Sequence, residues 1–466
     1  MTRQMRLNAF SMNAVGHVSP GLWTHPRDRS TDYNSLAHWT GLARLLERGC
    51  LDGLFLADVL GPYDVFGSSP DAALRRAAQV PLGDPMLLVP AMAAVTRHLG
   101  FGITSSLSYE PPYLLARRLS TLDHLTEGRV GWNVVTSYLD SAARAMGRPR
   151  QVAHDARYDI AEEYMQLAYK LWEGSWEDGA VLADRARGLY AEPSRVHAVH
   201  HRGEHYRLDG IHLCEPSPQR TPVLYQAGSS PAGLAFAARH AECVFMSGPS
   251  ARVIAPRVAE LRRRVLAAGR EAEDLLVFAL MTVVVGRTDV EAQDKLAEYR
   301  RHVSTEGALV LLSGWTGVDY SDIDPGQLVR HVRSDAGRTV MENFTRADPS
   351  RAWTVGEVAE HVAIGGVGPL AVGSPATVAE FLVRWMEETG VDGYNLASVV
   401  MPETFADVVE LLVPELQRRG AFRQGYASGT LREKLFGQGP RLPERHPANG
   451  FRTGRAPVTA AAGGGT

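Results

Sequence analysis

The sequence predicts an α/β fold in which eight parallel strands, each followed by a helix, close into a barrel. Three observations carry it. Short apolar runs alternate with stretches of helical period along most of the chain. Those runs end in small or polar residues, not in hairpin turns. The third is one stretch, residues 129–137 (RVGWNVVTS), where Val130, Trp132, Val134 and Val135 read as a buried strand and Thr136, Ser137 and Tyr138 as its polar lip. Helix, buried strand, polar lip and helix make the unit of a TIM-type (β/α)8 barrel, whose ligands bind at the strands' C-terminal ends.

Each element follows in order. Residues 5–10 form the first strand and enter a loop holding Asn13, Gly16 and His17. Residues 34–49 have a helical period, with Leu36, Trp39, Leu42 and Leu46 about one turn apart. Leu54, Phe55 and Leu56 make the second strand, ending at Ala57 and Asp58. Residues 60–83 are too long for an ordinary connection and read as a lid or pocket loop. Asp84 caps, and Pro85 opens, a helix expected to reach about His98, before the third strand at 101–106. Pro111 and Pro112 start the helix of Leu115, Leu119 and Leu122, which stops at Gly128 before the 129–137 strand.

A helix over 155–171 carries Ile160, Tyr164, Leu167 and Leu171 on one stripe. Residues 172–221 break the rhythm and read as an insertion. The alternation resumes with strand 223–225, helix 231–240, strand 243–245, helix 254–268, strand 275–285 and helix 290–302. After a second insertion at 304–370 come helix 376–388, strand 394–400 and a closing helix at 404–419. The expected organisation is a single barrel domain over 1–436 with insertions at about 60–83, 172–221 and 304–370. An extended or disordered arm, rich in Pro, Gly and Ala, follows at 437–466.

A formal net charge of −3 on 466 residues leaves no electrostatic footprint for nucleic acid or an anionic membrane. Three cysteines, Cys50, Cys214 and Cys243, are too few and scattered for a disulfide framework or zinc cluster, which points to a cytoplasmic protein. The first ten residues lack the apolar core of a signal peptide, and no apolar run reaches the roughly 20 residues of a membrane span.

Several residues fall where a barrel does chemistry. Asp58 ends an apolar strand; it either caps the next loop or receives a ligand N–H. Gln226, Ala227, Gly228, Ser229 and Ser230 join a strand to a helix starting at Pro231, and read as a phosphate seat or an ordinary serine cap. His154 and Tyr158 are four apart at one helix start, suited to packing or to a shared ligand. His17 is a loop histidine, and Tyr63 and Gln79 lie in the long loop with no local distinction. Histidines 197, 200, 201 and 205 lack recognised metal-ligand spacing, so no metal is expected. Residues 366–371 (GVGPLA) match a dinucleotide fingerprint by letter but follow a helix-like run, and read as a turn. No GxSxG elbow surrounds Ser229, which leaves a hydrolase unsupported.

Taken together, FLADVLGPYDVF (55–66), STLDHLTEGRVGWNVVTS (120–137), HDARYDIAEEYM (154–165), LCEPSPQRTPVLYQAGSS (213–230) and VPELQRRGAFR (413–423) resemble the flavin-dependent monooxygenases of the bacterial luciferase-like superfamily. The nearest branch holds nitrilotriacetate, dibenzothiophene-sulfone and long-chain alkane monooxygenases, with the alkane enzyme the closest likeness. The resemblance implies a luciferase-like barrel with FMN at its C-terminal rim. Asp58 and Thr104 or Ser106 would approach the ring, with Ser137 near it, while His154, Tyr158, Ser229 and Ser230 would hold the ribityl chain and phosphate. His17, Tyr63, Gln79 and Asn133 match the alkane enzyme's pocket, and Tyr138 joins them as a catalytic candidate. Three positions depart: the alkane enzyme has a cysteine near Ala14 and histidines at Tyr138 and Leu311.

The implied function is an oxygenase component that takes FMNH2 from a separate NAD(P)H-dependent flavin reductase and reacts with O2 through a flavin C4a-(hydro)peroxide. It would insert one oxygen atom into a hydrophobic or aromatic small molecule, such as a long-chain alkane, aromatic sulfone or chlorinated aromatic, and would work as a dimer or tetramer. The rivals are a deazaflavin-dependent oxidoreductase on the same barrel and a non-catalytic flavin-binding protein.

Overall fold

A computed structural model describes residues 4–228, 230–331 and 338–453. Its strands are β1 Arg6–Met12, β2 Gly53–Ala57, β3 Gly100–Ser106 and β4 Val130–Val135, then the insertion strands β5 Val181–Asp184, β6 Leu189–Ala191, β7 Val199–Arg202 and β8 Arg207–Gly210. After these come β9 Val223–Ala227, β10 Cys243–Met246, β11 Leu276–Val285, β12 Leu370–Gly373 and β13 Gly393–Ala397. Eight of them, β1, β2, β3, β4, β9, β10, β11 and β13, pair in parallel in that cyclic order. The ring closes where Arg6 of β1 meets Gly393 of β13. These are the eight strands expected from the sequence. The ninth, β12, runs beside the C-terminal half of the long β11, from Thr282 to Val285. The insertion at 172–221 contributes two separate antiparallel hairpins, β5–β6 and β7–β8.

Parallel strands covered on both faces must be apolar throughout, and every residue of β3 is buried. The largest hydrophobic cluster lies between the ring and its outer helices, with Trp39, Leu46, Val258, Leu382 and Leu412 packed on Leu54, Phe101, Val277 and Leu396. Inside the ring, Phe55, Tyr225 and Phe278 fill the lower half. They fit because Gly102 and Gly131 face them: a Cβ on Gly102 would stand 2.5 Å from the Phe55 ring, and one on Gly131 2.3 Å from Tyr225. Leu431 and Leu435, from the short helix Leu431–Phe436, plug the bottom. In that plug Arg432 is 2% exposed and donates to both oxygens of Glu242, at 2.6 and 2.9 Å.

Some boundaries differ from expectation. Leu36 is 60% exposed at its helix start, so that stripe is formed by Trp39, Leu42, Ala43 and Leu46. The helix expected to reach His98 is a 3-10 turn, Pro85–Leu88, followed by Val89–Ala93. Arg129 ends it early, by donating to the carbonyls of Ala93, Thr96 and Leu99. The helix that closes the ring widens into a π turn at Val408–Leu412, next to Pro414, which has no N–H to offer. In the C-terminal arm Leu442, His446 and Ala448 are buried against the body; residues 454–466 lie outside the described ones. Among the described residues no helix is long and apolar enough to cross a membrane.

Candidate active site

The C-terminal strand ends surround a cavity of about 380 Å³. It is lined by His17 after β1, Asp58, Tyr63 and Gln79 after β2, Thr104 of β3, and Asn133, Ser137 and Tyr138 of β4 and its lip. His154 and Tyr158 from the helix His154–Tyr169, with Ser230 beyond β9, complete the polar wall. Phe10, Phe55, Phe245, Val18 and Trp315 supply the apolar wall. The structure thus brings together eleven of the thirteen residues proposed from the sequence. Ser106 stands one step back, in a small side cavity with Asp58 and Thr104, its hydroxyl 2.7 Å from that of Ser137. Ser229 lies outside the described residues.

Burial sets the charge states. Asp58 is pushed up to about 7 by burial and by the Asp84 carboxylate, against a hydrogen bond from the Val59 N–H. His17, with its ring edge-on to Phe10 at 4.4 Å, is lowered to about 3 by burial and is neutral at neutral pH. Burial raises Tyr63 to about 12. Its hydroxyl donates to Gln79 Oε1 at 2.9 Å, accepts from Trp315 Nε1 at 3.1 Å and lies 2.6 Å from the Tyr138 hydroxyl. Gln79 in turn donates from Nε2 to the His17 carbonyl at 3.0 Å.

At the other end two helix N-termini converge. Ser230 caps the helix Pro231–His240 by accepting from the Gly233 N–H at 3.1 Å, and a hydrogen bond joins it to the Tyr158 hydroxyl. Arg157, buried on the same helix as His154, lines the cavity and donates to the Ser137 carbonyl, where the backbone takes a φ of +51°. Two helix dipoles, two hydroxyls and a guanidinium are groups that could hold an anion, and they form a candidate anion seat. Its floor is tight, since a Cβ on Gly228 would come within 2.6 Å of the Gln226 side-chain amide.

Arg157 is the functional candidate not found from sequence, although its place three residues after His154 puts both on one helical face. Trp315, Phe245 and the Gly366–Val367 turn were also missed. That turn follows the helix Val355–Val362 as expected, yet it lines the cavity. Of the departures, only Tyr138 faces the cavity; Leu311 packs behind Tyr63, and Ala14 pairs with Leu82 in an isolated bridge. Three histidines of the 172–221 insertion are bound to carboxylates, His197 to Glu177 at 2.7 Å, His200 to Asp209 at 2.9 Å and His201 to Glu163 at 3.0 Å.

FMN fits these residues. Asn133 Oδ1 is a buried acceptor without a partner among the described residues, suited to a ring N–H, and the candidate anion seat lines the same cavity.

A closed parallel barrel with a largely apolar cavity at its C-terminal mouth has the architecture of a (β/α)8 enzyme, whose site lies at the strand ends. The family described as luciferase-like monooxygenase matches residues 11–393. The chain is 48% identical over 453 residues to the dimethyl-sulfide monooxygenase of Hyphomicrobium sulfonivorans, covering 97% of this chain and 94% of that one. It is 47% identical to the long-chain alkane monooxygenase of Geobacillus thermodenitrificans (strain NG80-2), covering 97% and 99%. The crystal structure of riboflavin lyase with modified FMN and substrate riboflavin superposes with a TM-score of 0.90 at 37% identity, covering 97% and 100%. The chain belongs to the luciferase-like monooxygenases, and as an enzyme it is a flavin-dependent monooxygenase.

Proposed function

We propose that the protein is the oxygenase component of a two-component system, taking reduced FMN from a separate NAD(P)H-dependent flavin reductase and inserting one atom of O2 into a small hydrophobic molecule. One observation carries the reading: a single cavity has an aromatic wall, a neutral histidine and an anion seat, all at the strand ends. Arg157, Tyr158, His154, Ser230 and its neighbour Ser229 would hold the phosphate. Asp58, Thr104, Ser137 and, from behind, Ser106 would border the ring. His17, Tyr63, Gln79, Asn133 and Tyr138 would form the substrate side. Bound reduced flavin supplies the electrons for oxygen activation, while the protein positions the substrate and keeps water out. The apolar wall, with Trp315 and Val367, would serve the second task. One cavity of about 380 Å³ must admit both ring and substrate, which favours a compact substrate over a long alkane. A cytoplasmic location fits the three free cysteines.

The test is anaerobic titration with FMNH2, followed by mixing with O2 and a panel of sulfides, alkanes and aromatics. Saturable binding and an oxygenated product are expected. Reoxidation at the rate of free FMNH2 with every substrate would overturn the reading.

A further inference from the structure

The hydroxyls above Tyr138 form a chain with a fixed direction. The His17 carbonyl can only accept, so the Gln79 amide must turn its NH2 toward it, at 3.0 Å. Gln79 Oε1 then faces Tyr63 and, being an acceptor, takes the one phenolic proton of Tyr63, at 2.9 Å. Trp315 Nε1 can only donate, and it donates to the Tyr63 oxygen at 3.1 Å. With its proton spent, Tyr63 can only accept from Tyr138, 2.6 Å away. Tyr138 therefore commits its own proton inward, to Tyr63, and keeps only lone pairs for the cavity that it lines.

From this chain we infer that the pocket reads a hydrogen-bond donor: its substrate is a compact, mostly apolar molecule bearing an O–H, N–H or S–H that donates to the Tyr138 oxygen. Tyr63 and Gln79 are the positioning residues, since they act by setting the direction of the Tyr138 proton. The tyrosines' acidities agree with that direction: beyond the effect of burial, the bond between them raises Tyr138 as donor and lowers Tyr63 as acceptor. A histidine in place of Tyr138 could present a donor or an acceptor by changing tautomer. The phenol cannot while Tyr63 holds its proton.

The inference rests on the reading of this cavity as the monooxygenase's substrate pocket, and it is tested without turnover. Binding of 2-hexanol (donor and acceptor) and 2-hexanone (acceptor only) is measured by calorimetry, with oxidised FMN and without it. Comparing the alcohol-to-ketone preference between variants cancels the difference in hydration. Tyr63→Phe frees the Tyr138 proton for the cavity and should reduce the preference about three- to tenfold, or invert it. Tyr138→Phe should reduce it as well, while both ligands still bind. An unchanged preference in Tyr63→Phe would overturn the inference, as would a wild-type protein that prefers the ketone more than Tyr63→Phe does. Failure of FMN to bind would instead count against the proposed function, because the flavin-free arm still reports on the tyrosines.

Discussion

Asp58 and His17 lie in the same cavity, and burial drives both toward neutrality, from opposite sides of the pH scale. The Asp58 shift has a definite sign in stability. Between its ordinary carboxylate range and about 7, the folded state holds a proton that the unfolded state has released, so stability falls as pH rises through that window and levels off above it. Asp58→Asn should remove the slope and stabilise the flavin-free protein at pH 8 by ~1–3 kcal/mol, with little gain at pH 4. Urea unfolding at the two pH values checks it, and equal gains would refute the shift. His17, lowered to about 3, contributes no imidazole step near pH 6.5. Asp58 stood out in the sequence because a lone carboxylate ended an apolar strand. Arg157 did not, because an arginine in HDARYD reads as an ordinary solvated helix residue until the fold buries it beside Ser137. Leu311 shows the converse: a position that distinguishes relatives in sequence packs one layer behind the cavity, a distance no one-dimensional pattern encodes.

At the scale of elements, the candidate anion seat draws on two helices, Pro231–His240 and His154–Tyr169, whose starts both line the cavity although more than seventy residues separate them. The helix Pro231–His240 was legible to its boundaries, because a serine cap and a proline in the first turn mark its start and apolar spacing its length. The helix after Asp84 was not, because what stops it is the Arg129 guanidinium, arriving from another βα unit. Such stops come from tertiary contact and leave no local mark. If the seat holds a phosphate, Arg157→Gln should weaken FMN binding about 10- to 100-fold, the worth of a charge-assisted hydrogen bond, and leave riboflavin binding nearly unchanged. Fluorescence titration with the two flavins separates a phosphate role from general damage, which would weaken both.

For the whole molecule, the alternation of strand and helix was sufficient to give the eight-strand ring, since each unit packs on its sequence neighbour. What was not legible was the bottom of the barrel. Leu431–Phe436 carries apolar and charged residues in equal measure, and the burial of Arg432 depends on Glu242, about 190 residues away. Arg432→Ala should cost ~3–5 kcal/mol because Glu242 is left as an unpaired buried charge. Adding Glu242→Gln should recover part of that loss in urea unfolding, whereas a strictly additive double variant would show that the two groups do not interact.

The ring closes between β1 and β13, and the plug beneath it follows later still in the chain. During translation the first strand therefore waits for a partner that emerges only after ~20–80 seconds at ordinary elongation rates. Its edge stays open for that interval, and the lower core stays hollow until Leu431 and Leu435 leave the ribosome. This barrel is thus completed only once its last strand and its plug have both been made. A nascent chain stalled before residue 430 should remain a substrate for chaperones and proteases even with every residue of the cavity already made.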